Sequence, residues 1–148
     1  MLRRLVIPLV LLALAPGCEP DARNDATIYL DRVQRIDLDD PVAERRRLVD
    51  SLASLPLSAD EVVDARDSCV QAHRTILDAE EATRRARASL ERYPDESQIP
   101  AETRTAIESD IERSNRLIAR SRPMFDTCHR LTRDLEVRYR SRRARSED

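Results

Sequence analysis

"PDESQIP", residues 94–100, is the stretch whose reading decides the fold. Two prolines bracket it, and Asp, Ser and Gln fill its middle. Proline drives the residue before it out of helical geometry, and short polar side chains favour turns. On its N-terminal side the chain runs from Ser58 to Tyr93 with neither glycine nor proline. At 1.5 Å per residue that is a helix of ~50 Å. On its C-terminal side Pro100 opens a second stretch to roughly Tyr139, interrupted only by Pro123. Pro123 removes one backbone hydrogen bond there and is expected to kink the helix.

Both stretches carry a seven-residue rhythm. On the first, Val62, Ala65, Cys69, Ala72, Ile76, Ala79, Thr83, Ala86, Leu90 and Tyr93 alternate steps of three and four. On the second, Ile107, Ile111, Ser114, Ile118, Ser121, Phe125, Cys128, Thr132, Leu135 and Tyr139 do the same. That spacing suits a two-helix antiparallel coiled coil. If Cys69 faces Cys128, equal steps along each helix pair Val62 with Leu135, Ala72 with Phe125, and Ala79 with Ile118. The same register brings Ala86 to Ile111 and Leu90 to Ile107. Large side chains meet small ones, which lets the helices interdigitate. The midpoint falls between Gln98 and Ile99, inside the break. A flanking pair, Arg87 with Glu108, is expected at the hairpin's edge.

Toward the base, apolar residues spill beyond this seam: Val63, Val70 and Leu77 on one helix, Leu117, Met124 and Leu131 on the other. That surface needs cover. Two shorter segments can supply it. Tyr29, Val33 and Ile36 share one helical face, and Leu48, Val49, Leu52 and Leu55 form another stripe. "DLDDP" separates them, with Asp39 or Asp40 expected to cap the second helix. Ser58 and Glu61 read as a capping box for the third, with Leu57 and Val62 as a hydrophobic staple. Toward the tip the neighbours are Arg84, Arg85, Glu112 and Arg113, so a bare two-helix stalk is expected there. The fold class is thus all-α: a long antiparallel helical hairpin with two short N-terminal helices packed at its base.

Composition agrees. The 148 residues are 36% charged and 3% aromatic, with one glycine and no tryptophan. All basic residues are arginine. The single glycine, Gly17, leaves no phosphate-cradling loop, and there is no G-x-S-x-G, P-loop or H-E-x-x-H pattern. No side chains stand in a recognisable nucleophile or acid–base arrangement, so no catalytic residue is named and the chain is expected to be non-enzymatic.

The chain begins "MLRRLVIPLVLLALAPGC". Arg3 and Arg4 precede an apolar run from Leu5 to Ala15, too short to span a ~30 Å hydrocarbon core, and small residues follow. This is the pattern of a secretory signal. Its end, "LAPGC" at Leu14–Cys18, resembles the lipobox of bacterial lipoproteins, with Ala15 where leucine is usual and Leu14 one place early. The resemblance covers the leader alone. It implies that the Cys18 sulfur receives a diacylglyceryl group, that residues 1–17 are removed, and that the new amino group is acylated. Glu19, rather than Asp, implies an outer-membrane address facing the periplasm. Without the leader the formal charge is −4, which with export argues against nucleic acid as a partner.

The domain reading is therefore a signal peptide over 1–17, a tether over 18–25 and one helical domain over 26–140. Within it, short helices are placed at about 26–37 and 41–55, and long ones at about 58–93 and 100–140. Residues 141–148 form a disordered basic tail. Export leaves Cys69 and Cys128 as an even pair, expected to form a disulfide. The alternative is a metal-binding or sensor module built from Cys69, His73, Cys128 and His129. Cys128 and His129 point ~100° apart on a helix. Both histidines are expected as solvated flanking residues, with no metal and no cofactor. The expected partners are the bilayer, through acylated Cys18, and an unidentified protein. A homodimer is a further option if the seam pairs between chains.

Overall fold

The computed structural model describes residues 19–140. The expected leader, the Cys18 attachment point and the basic tail over 141–148 lie outside the described residues. Four helices follow in order: α1 (Glu19–Val33), α2 (Val42–Ala53), α3 (Asp60–Leu90) and α4 (Ala101–Arg140). A short 3₁₀ turn, Glu96–Gln98, joins α3 to α4. There the Asp95 carboxylate accepts from the Ser97 backbone N–H at 2.9 Å. The two prolines delimit the turn. Pro94 follows the last tight bond of α3's end, Tyr93 N to the Leu90 carbonyl, and the Pro100 carbonyl accepts the first bond of α4 from Arg104.

α3 and α4 form the antiparallel hairpin, in the register expected from the cysteines. Cys69 and Cys128 are joined, with their Cα atoms 4.7 Å apart. Fourteen residues further toward the tip on each helix, the Thr83 and Ser114 hydroxyls meet at 2.8 Å. Small side chains make this close approach possible. Ala65, Ala72, Ala79 and Ala86 are all buried on α3, as are Ser114, Ser121 and Cys128 on α4. The buried serines are satisfied: Ser121 donates to the Ile118 carbonyl at 2.9 Å, and Ser114 shares the Thr83 contact. Burying them therefore leaves no orphaned hydroxyl.

The base is a four-helix bundle. Tyr29 and Leu30 of α1, Val49 and Leu52 of α2, Val62, Val70 and Leu77 of α3, and Leu135 of α4 surround the disulfide in one core. The N-terminal helices thus cover the surface that spills past the seam.

Several local expectations are corrected. The tether over 18–25 is not a tether: α1 begins at Glu19, and Asp25 and Ala26 are buried. The reason is the role of Asp25. Its Oδ2 accepts from the backbone N–H groups of Ser58 and Ala59 at 2.7 and 2.9 Å, and from the Ser58 hydroxyl at 3.1 Å. A carboxylate from α1 therefore caps α3, and the local Ser58–Glu61 capping box does not form. Glu61 turns instead to Arg138 and Tyr139 of α4. α2 has no side-chain cap from Asp39 or Asp40; Pro41 holds the N-cap position. The edge pair at the tip is Arg85 with Asp110, at 2.7 Å, rather than Arg87 with Glu108. One expectation beside these agrees: Pro123 lies inside α4, which runs from Ala101 to Arg140. At the tip, within the hairpin itself, Tyr93 packs against a small cluster of Ala86, Ile99 and Ile107.

Candidate functional site

A broad concavity lies beside the disulfide. A groove of about 850 Å³ runs between the segment joining α1 to α2 and the two hairpin helices. Val33, Ile36 and Leu38 form one wall, His73 and Ile76 of α3 lie in it, and Ile118, Phe125 and His129 of α4 form the other. Polar groups are few: Gln34, Ser121, Arg122, Asp126 and Thr132. An open, mainly apolar trough with a few polar groups has the make-up of a binding surface.

His73 is corrected from its expected solvated position. It is buried, and its ring meets Phe125 edge-on, with centroids 4.9 Å apart. Phe125 in turn lies 5.9 Å from His129, which is exposed. Burial, helped by Coulombic interaction with His129 and Arg45, pushes the His73 pKa down to about 4. At neutral pH it is an uncharged aromatic wall. Behind it, the buried Arg45 spans α2 and α3. Its guanidinium forks onto the Glu80 carboxylate and its Nε donates to the Asp40 carbonyl at 2.9 Å. The hydrogen bonds it donates to Glu80 hold Arg45 above its usual pKa, so the buried charge is kept and paired.

Tyr29 reaches the disulfide from α1. Its hydroxyl lies 2.7 Å from the Thr132 hydroxyl and 3.1 Å from the Cys69 sulfur. A bridged sulfur has no proton, so it can only accept. Burial pushes the Tyr29 pKa up to about 12, against the lowering effect of the Thr132 hydrogen bond. Both sulfurs are buried. Little access remains for an attacking thiolate, so the arrangement holds a bridge rather than exchanging one.

The four residues of the metal alternative are not assembled as ligands. The Cys69 and Cys128 sulfurs are spent on each other, and His73 and His129 lie on Phe125. Among the described residues no three His, Cys, Asp or Glu side chains converge as a metal site. Nor, among them, is any helix long and apolar enough to cross a membrane. Cys18, the expected lipid attachment point, lies outside the described residues.

Sequence reasoning did not find Arg45, Asp25 or the contact of Tyr29 with the disulfide. The first two look like ordinary surface charges in amphipathic helices, because their partners are 35 and 33 residues away. Tyr29 carried a fainter signal: it is the only aromatic residue between the leader and Tyr93. Comparison with protein-family models, with curated proteins and with solved structures finds no match to this chain.

Proposed function

We propose that this chain is a lipid-anchored, non-enzymatic protein of the bacterial envelope that presents a disulfide-stapled helical hairpin to a protein partner. The observation that carries the reading is the combination of a locked scaffold and an open apolar face. The disulfide and its tyrosine–threonine contacts fix the hairpin at its base. Beyond the base, large side chains on the seam of α4 remain partly exposed, Ile111 and Ile118 among them. Rigid helical faces of this kind are ready docking elements. The lipobox-like leader supplies the address, through Cys18, at the periplasmic face of the outer membrane. An acylated cysteine carrying more than one chain anchors stably, whereas a single chain does not.

Fractionation of cells expressing wild type and Cys18→Ala tests the anchor. Wild type is expected in the membrane fraction with bound lipid, and the variant in the soluble fraction. Equal release of both into the soluble fraction sinks the anchored reading.

A further inference from the structure

α4 carries two stripes at seven-residue spacing, and the structure treats them differently. Ile107, Ser114, Ser121, Cys128 and Leu135 are all buried against α3. Ile111 and Ile118, which alternate with them, remain 44% and 38% exposed, and Phe125 is half-buried. The pairing explains the contrast. Their opposite numbers on α3 are Ala86, Ala79 and Ala72, which cover only one side of each large residue. The outer sides line up along one face of α4, beginning at Arg104 and running into the groove at Ile118 and Phe125.

The residues beside this stripe have a symmetry of their own. At seven-residue spacing they are Glu108, Asn115, Arg122 and His129, all exposed. Glu108 and Arg122 stand seven residues on either side of Asn115, with opposite charge. Each has no ion pair within the chain among the described residues. Ile111 and Ile118 flank the same centre, and Arg104 and Phe125 lie about equally far out on either side. A second α4 laid antiparallel across the first, centred at Asn115, brings Ile111 and Ile118 of each copy to within one residue of facing Ile118 and Ile111 of the other. It also sets Glu108 beside Arg122 twice. An isologous contact must be self-complementary in this way.

We infer that the open face of α4 is a homodimer interface, in which two hairpins pair antiparallel through Ile111, Ile118 and Phe125 about a two-fold axis at Asn115. This deepens the docking reading above by naming the partner as a second copy. It rests on the exposed helical face being a docking surface and is independent of the lipid anchor. The hairpin stays closed within each chain, and the contact runs ~32 Å from Arg104 to Phe125. The tip half of one α4 then lies along the mouth of the other chain's groove.

Oxidative cross-linking of the full chain in the envelope tests this. Asn115→Cys places a thiol on the axis, and Arg116→Cys places one on the adjacent, outward-turned position. With copper–phenanthroline as oxidant, Asn115→Cys is expected to give at least ten times more covalent dimer than Arg116→Cys. Adding Glu108→Arg or Arg122→Glu alone should cut the yield about fivefold, and both together should restore it. Both are exposed sites, so folding is not at stake, and restoration by the double change excludes a general defect. Equal yields from the two cysteines, or single reversals without effect, overturn the dimer. A cross-link from Asn115→Cys to a different protein overturns the second copy as occupant but leaves the docking face standing. The absence of any adduct along this face overturns the docking reading as well.

Discussion

The two ends of the hairpin share one register but are built by different means. At the base, four helices enclose a core in which Tyr29, Leu52, Leu77 and Val62 are fully buried around a disulfide. At the tip, two helices approach through alanine and serine, and only Ala86, Ile99 and Ile107 form a buried cluster. The base thus draws its stability from area removed from water and from a covalent tie, and the tip from close backbone approach and continuity of the helices. The difference teaches that one seven-residue repeat does not imply one kind of interface. Large residues opposite alanine become a core where a third helix covers them, and an open surface where none does.

Removing the tie should show the largest effect. The bridge closes a span of 59 residues, worth roughly 4 kcal/mol in the chain-entropy description. Cys69→Ala with Cys128→Ala should lose about that much in urea unfolding; a loss under about 1 kcal/mol would mean that the base holds without it. Truncation sharpens the comparison next. Leu52→Ala, at a fully buried site of the base, should cost about 3 kcal/mol. Ile111→Ala, at an exposed site of the tip, should cost at most about 1 kcal/mol in the monomer. Equal costs would erase the distinction.

Acid should act most strongly on the base. His73 titrates near 6.5 when unfolded and at about 4 when folded, so the unfolded chain takes the proton first. Stability therefore falls as pH drops from about 6.5 to about 4, by up to about 3 kcal/mol. Asp25 adds to the loss at still lower pH. Burial alone would raise its pKa, but the Ser58 and Ala59 hydrogen bonds outweigh it and hold the group below the ordinary carboxylate range. That stability is present above the ordinary value and is lost as pH falls through the lowered one. His73→Leu should flatten the upper part of the pH profile; an unchanged slope would show that another group carries it. The smallest effect belongs to the tip's surface pair. Arg85→Ala should leave the unfolding midpoint unmoved, because exposed ion pairs contribute little. A clear drop would mean that the tip depends on its charges.

The hairpin and its register were legible because both rest on local repetition. Heptad spacing places the seam, and two cysteines with one proline-bounded break fix how the strips align. Val70 and Leu77 were legible as surface needing cover, and Leu52 as part of a stripe able to supply it. What sequence reasoning missed depends on partners distant in the chain. Asp25 read as part of a tether because nothing near it reveals that α3's first amides will arrive beside it. Ser58 and Glu61 fit a local cap, but Asp25 and Arg138 competed for the same groups and took them. His73 read as a flanking, solvated residue. It is buried because Phe125 meets it from α4 and α2 packs alongside with Arg45, neither of which periodicity on α3 can announce.

Peptide mapping of the unreduced protein tests the central claim most directly, because the base and the register both depend on which sulfurs are joined. The result expected is one linked pair containing Cys69 and Cys128, with Cys18 in neither that pair nor any other disulfide. Free thiols at Cys69 and Cys128, or a bridge from either one to Cys18, would contradict it.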